Sequence, residues 1–176
     1  MRKLLILFGF IFLAATSAKA QENRGFEISG NYQYFRFNPG SGASGVNCQG
    51  GSGSGAAYLK SSFGIVGEFG ACKFTGLGSG SSAHAMSFLF GPKLYFHAHG
   101  RVNPFVQGLF GSERLSAVGS GSTNAFAMAF GGGADITMTH HVSLRAVQFD
   151  YVYTHFGGAS QNNFRLQSGI VWRIGR

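Results

Sequence analysis

The sequence has little charge and no long apolar segment after its first residues. Only 11% of its 176 residues are Asp, Glu, Lys or Arg, less than half the share of an ordinary soluble domain. No run of about 20 apolar residues follows the N-terminal segment, so the sequence predicts no transmembrane helix there. Lys and Arg form no basic stripe, and we therefore expect no nucleic-acid binding.

The first 20 residues have the order of a secretory signal peptide. Arg2 and Lys3 precede an apolar run, and small residues before the boundary indicate cleavage after Ala20. We therefore predict a cleavable signal peptide at 1–20 and one domain at 21–176. Without the three basic residues of the leader, 11 Lys and Arg stand against six Asp and Glu, a net charge of +5. Attraction to anionic lipid headgroups is a sufficient explanation of this excess.

The remaining sequence is rich in glycine and phenylalanine, which follow a regular pattern. It has 29 Gly and 19 Phe, and the bulky apolar residues recur at every second position in eight segments separated by Gly and Ser. In the first segment, for example, Phe26, Ile28 and Tyr32 alternate with Glu27 and Ser29. A period of two is typical of β-strands with one apolar and one polar face.

The predicted connections alternate in length along the chain. Short turns are expected at residues 60–62, 97–103 and 137–141. Long Gly/Ser-rich loops are expected at residues 38–54, 75–83, 116–123 and 157–163. Outer-membrane barrels combine an even strand count, short periplasmic turns and longer external loops. We therefore predict an all-β fold, an eight-stranded antiparallel up-and-down transmembrane β-barrel.

The bulky apolar face distinguishes a membrane barrel from a soluble one. A soluble lipocalin-like carrier would turn this face inward around a ligand and expose a charged face. Here the opposite face carries mostly small polar residues, which fit the narrow interior of eight strands. The 17 charged residues that remain after cleavage are also too few for a soluble exterior. We therefore expect Phe, Tyr, Leu and Ile to face lipid.

Charged residues on the inner face need partners, because an unpaired buried charge is costly. Asp135 and Arg145 fall opposite each other across a predicted turn, and barrel closure brings Glu27 next to Arg173. The predicted lumen network consists of Glu27, Glu68, Lys93, Gln107, Asp135, Arg145, Arg165 and Arg173. The alternative function of this set is an ion path, as in a narrow channel.

Strand parity adds two expectations about this network. Lys93 falls opposite Gln107 across the turn centred near residue 100. Arg145 and Asp150 have opposite parity, so both point inward only if a β-bulge lies within 146–148.

The two cysteines are predicted to form a disulfide. The turn near residue 61 places Cys72 opposite residue 50, and Cys48 one step beyond on the same face. An exported protein meets an oxidising environment that permits the bridge. It would tie the first loop to the third strand at the outer rim and contribute about 3 kcal/mol through loop entropy. Two free thiols are the alternative.

Other candidate chemistry is weak. His141 and Ser143 resemble the His-x-Ser pair of the barrel enzyme lipid A 3-O-deacylase, but no acid is placed to complete a triad. His97, His99, His140 and His141 fall in short turns and could converge at one rim to hold a metal, but no carboxylate or thiolate is near them, so solvated side chains are expected. We predict no enzyme activity, no metal and no cofactor.

Seven segments together carry a family resemblance: FEISGNYQYFRFN, FGIVGEFG, FLFGPKLYF, PFVQGLFG, AFAMAFGGGADI, VSLRAVQFDYVYT and QSGIVWRI. They resemble the outer-membrane β-barrel family related to the OmpA transmembrane domain and the OmpX-type small barrels. The resemblance implies a cofactor-free barrel of a Gram-negative-type outer membrane, with a structural, adhesin-like or serum-resistance role.

The expected function follows from this resemblance and from the strand pattern. We expect a monomer whose partners are outer-membrane lipids and whose four external loops are the candidate contacts for an extracellular ligand. A narrow porin-like channel and a soluble lipocalin-like carrier are the alternative functions.

Overall fold

The computed structural model describes residues 25–38, 45–60, 62–75, 83–96, 100–117, 121–156 and 159–175. Within them the chain forms eight strands: β1 (Phe26–Phe37), β2 (Val46–Tyr58), β3 (Phe63–Thr75), β4 (Ala83–Tyr95), β5 (Val102–Ala117), β6 (Gly121–Thr137), β7 (Val142–Phe156) and β8 (Ala159–Ile174). None of these residues belongs to a helix long and apolar enough to cross a membrane. The predicted signal peptide lies outside the described residues.

The eight strands form a closed barrel, as predicted. Each strand pairs antiparallel with its neighbours in the chain, and β1 pairs with β8. Closure leaves no free sheet edge, so every strand has a backbone partner on both sides.

The strands are staggered as they pass round the barrel. The stagger is seen by stepping from each residue to its paired residue on the next strand. From Phe35 of β1 these steps pass through β8, β7, β6, β5, β4 and β3 and reach Tyr58 of β2. The N–H of Tyr58 donates to the carbonyl of Gly25, which closes the circuit next to the start of β1. From Phe35 to Gly25 is a displacement of ten residues along the first strand. Such a shear requires tilted strands. Inward side chains that are far apart in sequence therefore reach the same height in the lumen.

Bulky apolar side chains cover the outer wall. Phe88, Phe126 and Ile170 are 60%, 53% and 59% exposed. In each of these strands the residues that alternate with the exposed ones are largely buried, as a period of two requires. A soluble ligand carrier needs these side chains inside the barrel, so the structure rules that alternative out.

The loop lengths predicted from Gly/Ser content are wrong at three of the four external positions. The expected loop at 38–54 is in fact β2 from Val46 onward, with both neighbours paired to it. Its Gly and Ser residues form a strand because β1 and β3 supply backbone partners on both sides. The inward-facing serines also form hydrogen bonds with other side chains in the lumen. Weak intrinsic β-propensity is overridden by this context.

The expected loops at 116–123 and 157–163 are mostly strand as well. β5 and β6 pair up to Ala117 and Gly121, and Gly121 has a φ of 75°, a left-handed conformation that suits a tight reversal. β8 begins at Ala159, and Asn163 pairs with Val152. Residues 76–82 of the predicted loop 75–83 lie outside the described residues, and its first and last residues, Thr75 and Ala83, belong to β3 and β4.

The predicted β-bulge in β7 is confirmed. The pairing of β7 with β8 shifts between Arg145 and Gln148, and the pairing of β6 with β7 shifts between Ala134 and Asp135. These shifts turn Arg145, Gln148 and Asp150 all inward, and each of them is buried.

Candidate functional site

The most highly charged part of the lumen lies near the end of the barrel where β1 begins and β8 ends. We call Glu27, Lys93, Asp135, Arg145 and Arg173 the periplasmic cluster. Glu27 accepts from the Lys93 Nζ at 2.7 Å and lies 3.2 Å from Arg145 Nη2 and 3.5 Å from Arg173 Nε. Asp135 lies 2.9 Å from Arg145 Nε and 3.3 Å from Arg173 Nη2. Two carboxylates and three cations therefore form ion pairs away from water, and the cluster carries one positive charge in excess.

Aromatic side chains enclose the periplasmic cluster. The Tyr58 hydroxyl donates to Glu27 Oε2 at 3.1 Å, and the Tyr95 hydroxyl, with a single hydrogen to donate, lies within hydrogen-bonding distance of both Glu27 Oε2, at 3.1 Å, and Asp135. The ring of Phe105 lies 4.3 Å from Lys93 Nζ. The hydroxyls thus replace water around the buried carboxylates, and the ring replaces water around the buried ammonium group.

A second set of charges, the central cluster, lies farther along the lumen and consists of Glu68, Asp150 and Arg165. Arg165 Nη1 is 2.5 Å from Glu68 Oε1, and Arg165 Nη2 is 2.8 Å from Asp150 Oδ2. Gln148 links the two clusters, because its Oε1 accepts from Arg145 at 3.1 Å and its Nε2 donates to Asp150 at 2.8 Å. Polar contacts thus run without interruption from one cluster to the other.

The structure places all eight residues of the predicted lumen network inside the barrel, none more than 8% exposed. Seven of them belong to the two clusters. The eighth, Gln107, pairs with Lys93 across β4 and β5 and donates to Asp150 Oδ1 at 3.4 Å.

Sequence reasoning left several inward polar groups out of the network: Asp150, Gln148, Tyr58, Tyr95 and Glu113. Strand parity could have shown Tyr58, Tyr95 and Glu113, whereas Asp150 and Gln148 also require the β-bulge in β7. Tyr95 lies two residues after Lys93, and Glu113 lies six after Gln107, in each case on the same face.

The external half of the lumen contains a group of buried apolar side chains, which the sequence did not predict. We call Phe35, Phe37, Phe74, Leu115 and the disulfide the external cap. The ring centroids of Phe35 and Phe37 are 4.1 Å apart, and those of Phe37 and Phe74 are 4.9 Å apart. Leu115 packs against the same buried cluster. The inner face is therefore polar at the periplasmic end and in the middle, whereas at the external end this apolar group lies beside buried polar side chains such as Asn163 and Thr154.

The predicted disulfide is present between Cys48 and Cys72, with their Cα atoms 5.6 Å apart. Its predicted position needs correction, because Cys48 lies within β2 and not in a loop. Both cysteines face the lumen and are buried. The bridge therefore joins β2 to β3 diagonally inside the barrel.

The histidine and serine motif does not come together. Ser143 is buried and accepts from Arg173 Nη1 at 2.9 Å, whereas His141 is exposed in the turn before β7. No group of three or more His, Cys, Asp or Glu side chains that could hold a metal occurs in the described part of the chain. His97 and His99 lie outside it.

Comparison with solved structures identifies the fold. The chain is similar to Neisserial surface protein A, with a TM-score of 0.65 and 12% identity over 86% of this chain and 97% of that one. It is also similar to Ail, the attachment invasion locus protein of Yersinia pestis, with a TM-score of 0.59 and 17% identity over 87% and 100%. The N-terminal β-barrel domain of Pseudomonas aeruginosa OprF gives a TM-score of 0.54 and 12% identity over 88% and 100%. No protein-family model matches the sequence, and no curated protein matches it.

The outer wall fits the same class of structure. Its exposed apolar side chains range from Trp172 and Phe96 near the periplasmic turns to Phe88 and Phe126 toward the other end. A closed antiparallel barrel with such an apolar outer band is the architecture that spans bacterial outer membranes. The chain thus has the fold of the small eight-stranded barrels, and its apolar outer wall makes it a protein of the outer membrane.

Proposed function

We propose that this protein is a monomeric, non-catalytic surface barrel with a structural or adhesin-like role. The observation that carries the proposal is the filled lumen. Two clusters of paired charges and the apolar external cap occupy it from end to end. A barrel whose interior is packed can act through its external surface and its lipid-facing wall.

The packed interior disfavours the narrow channel. A hydrated ion that passes the periplasmic cluster has to separate Lys93 from Glu27 and Arg145 from Asp135, which lie 2.7 and 2.9 Å apart. Separating buried ion pairs costs several kcal/mol unless water replaces each partner. Farther along, the rings of Phe35 and Phe37 offer no polar group to a permeating ion.

Two external connections are long enough to present a binding surface beyond the membrane. They join β1 to β2 through residues 38–45 and β3 to β4 through residues 76–82. The other two consist of residues 118–120 and 157–158. Ail and Neisserial surface protein A are named for attachment and for the cell surface, and this supports an adhesin-like role for a chain of the same fold.

The test combines a loop deletion with an adherence assay. The whole protein is expressed in a non-adherent laboratory host, and binding of those cells to an epithelial monolayer is counted. Deleting residues 39–44 leaves Asn38, whose backbone N–H donates to Asn163 Oδ1 at 2.9 Å, and leaves all of β2. We expect adherence above the empty host, and a loss of that gain in the deletion variant.

Two controls make the result interpretable. Gel mobility before and after boiling reports whether the variant still forms a barrel, and replacement of the periplasmic turn 138–141 by Gly and Ser should leave adherence unchanged. Equal adherence of the wild type and the empty host would contradict the adhesin-like role. Regular current steps in planar bilayers would contradict the non-conducting barrel and favour the channel.

A further inference from the structure

The acidic residues of the described barrel lie only in its lumen, whereas the basic residues lie both inside and outside. All five described acidic residues are buried in the lumen: Glu27, Glu68, Glu113, Asp135 and Asp150. The exposed charged side chains are all basic: Arg36, Lys60, Lys73, Arg101 and Arg114. Among the described residues, none of these five basic groups forms an ion pair. The outer surface therefore carries positive charge that the described chain itself does not neutralise.

Three of the exposed cations lie near the external end of their strands. Arg36 is the penultimate residue of β1, Lys73 lies two residues before the end of β3, and Arg114 lies three before the end of β5. Arg36 donates to Asn47 at 3.0 Å and Arg114 to Ser122 at 2.8 Å. Because both acceptors are neutral, the positive charge stays available to an anion.

These side chains point sideways from the wall, in the direction of the lipid. Lys73 shares its strand face with Phe69, and its partner across the sheet, His84, shares a face with Met86 and Phe88. The basic groups thus lie where the apolar band ends and the headgroups of the external leaflet begin. A soluble partner approaching from above meets the ends of the strands and the connections first.

A groove on the outer wall contains one of these cations. It has a volume of about 320 Å³, and its polar lining consists of Gln49, Lys73 and His84. Gly50 and Ala71 form part of its floor and leave room beside the Lys73 stem. The side-chain carbonyl of Gln49 accepts from the Tyr32 hydroxyl at 3.0 Å. An ammonium group, an amide NH₂ and an imidazole then face one open space, and all three can donate to an oxyanion.

A second, apolar groove follows in the direction of the periplasm. It has a volume of about 890 Å³, and Gly53, Gly55 and Gly67 give β2 and β3 a bare outer surface between Ile28 and Phe88. By the register of β2 and β3, Gly53 lies below Gly51 and Gln49 on the same outer face. The wall therefore presents donors for an anion at the headgroup level and a trough without side chains below them.

We propose that these two grooves together bind a phosphate-bearing lipid of the external leaflet. The phosphate accepts from Lys73 and His84, and an acyl chain lies in the glycine-floored trough. Arg36 and Arg114 attract neighbouring headgroups on either side. The arrangement matches an amphiphile, because the cationic part and the apolar part follow one another along the membrane normal.

The test measures lipid binding to the whole mature barrel in detergent by native mass spectrometry, with diphosphoryl lipid A as the probe. One basic residue near an anionic membrane surface contributes about a fivefold gain in affinity. We expect Lys73→Gln to weaken the apparent affinity by about fivefold, and the added His84→Gln to weaken it further. Lys73→Arg should retain binding, because it keeps the cation. Lys60→Gln is the matched control, since it removes an exposed lysine at the periplasmic end.

The source of the anion is tested in the same experiment. Diphosphoryl lipid A should bind more tightly than its dephosphorylated form, and inorganic phosphate alone should not displace it at millimolar concentration. Equal binding of the dephosphorylated lipid would overturn the phosphate contact. Displacement by inorganic phosphate would overturn the lipid as the ligand. Equal losses in Lys73→Gln and Lys60→Gln, with normal gel mobility of both variants, would overturn the location of the site.

Discussion

Replacing Arg165 by methionine should destabilise the barrel more than the loss of any other single lumen cation. Arg165 is the only cation of the central cluster, and it contacts Glu68 at 2.5 Å and Asp150 at 2.8 Å. Its loss leaves two buried carboxylates with amide partners alone. Removing one member of a buried pair costs about 3–5 kcal/mol, because the partner charge stays buried.

Lys93 provides the comparison for this prediction. It is as deeply buried as Arg165, but Glu27 keeps Arg145 at 3.2 Å and Arg173 at 3.5 Å when Lys93 is removed. Lys93→Met therefore loses a charged hydrogen bond without stranding a carboxylate, at a cost of about 1.5–3 kcal/mol. The two variants should therefore differ by about 2 kcal/mol in the free energy of unfolding, because only Arg165→Met leaves buried carboxylates without a cation.

The assay is urea unfolding of the protein in lipid vesicles, followed by tryptophan fluorescence. Trp172 is the one tryptophan of the sequence, and it lies on the lipid-facing wall with 55% exposure. Its emission should shift to longer wavelength as the barrel leaves the bilayer. Adding Glu68→Gln and Asp150→Asn to Arg165→Met should recover most of the loss, because no stranded charge remains. A larger loss in Lys93→Met than in Arg165→Met would refute the reasoning.

Three further predictions use the same unfolding assay. Replacing Cys48 and Cys72 together by serine opens a link between residues 24 apart and should cost about 3 kcal/mol by loop entropy, and reduction of the wild type should give the same loss. Phe90→Arg places a cation on the lipid-facing wall, far from the ends of β4, and should cost about 2–4 kcal/mol, whereas His84→Arg near the rim should cost less than about 1 kcal/mol. If the two cost the same, the wall does not face hydrocarbon. Gly121→Ala forces a left-handed φ on a residue with a Cβ and should cost about 1 kcal/mol; an unchanged midpoint would show that the reversal relaxes.

The fold could be predicted from the sequence because period two persists through almost every strand. The outward phenylalanines, the strand count and the pairs Asp135 with Arg145 and Lys93 with Gln107 all follow from parity and turn position. The bulge in β7 also followed, because two charges of opposite parity had to share one polar interior. In these cases a local pattern and the global fold impose the same constraint.

Loop boundaries could not be predicted in the same way. Val46 to Ser54 is rich in Gly and Ser, a composition that favours loops in isolation. It forms a strand because both neighbours in a closed barrel offer backbone partners, and because Ser52 and Ser54 bond to Asn31 and Ser29 inside. That information is non-local, since the partners lie 21 and 25 residues away.

At the external cap, the alternation of apolar and polar residues no longer shows which face of the strand points to the lipid. Around Phe35 apolar or aromatic residues occupy successive positions, from Tyr34 to Phe37 with one arginine between, so either face could be read as the lipid-facing one. The structure turns Phe35 and Phe37 inward and leaves Arg36 outside, next to the headgroup level. A single choice of parity therefore sets both features of the external end, the apolar seal of the lumen and the start of the cationic rim.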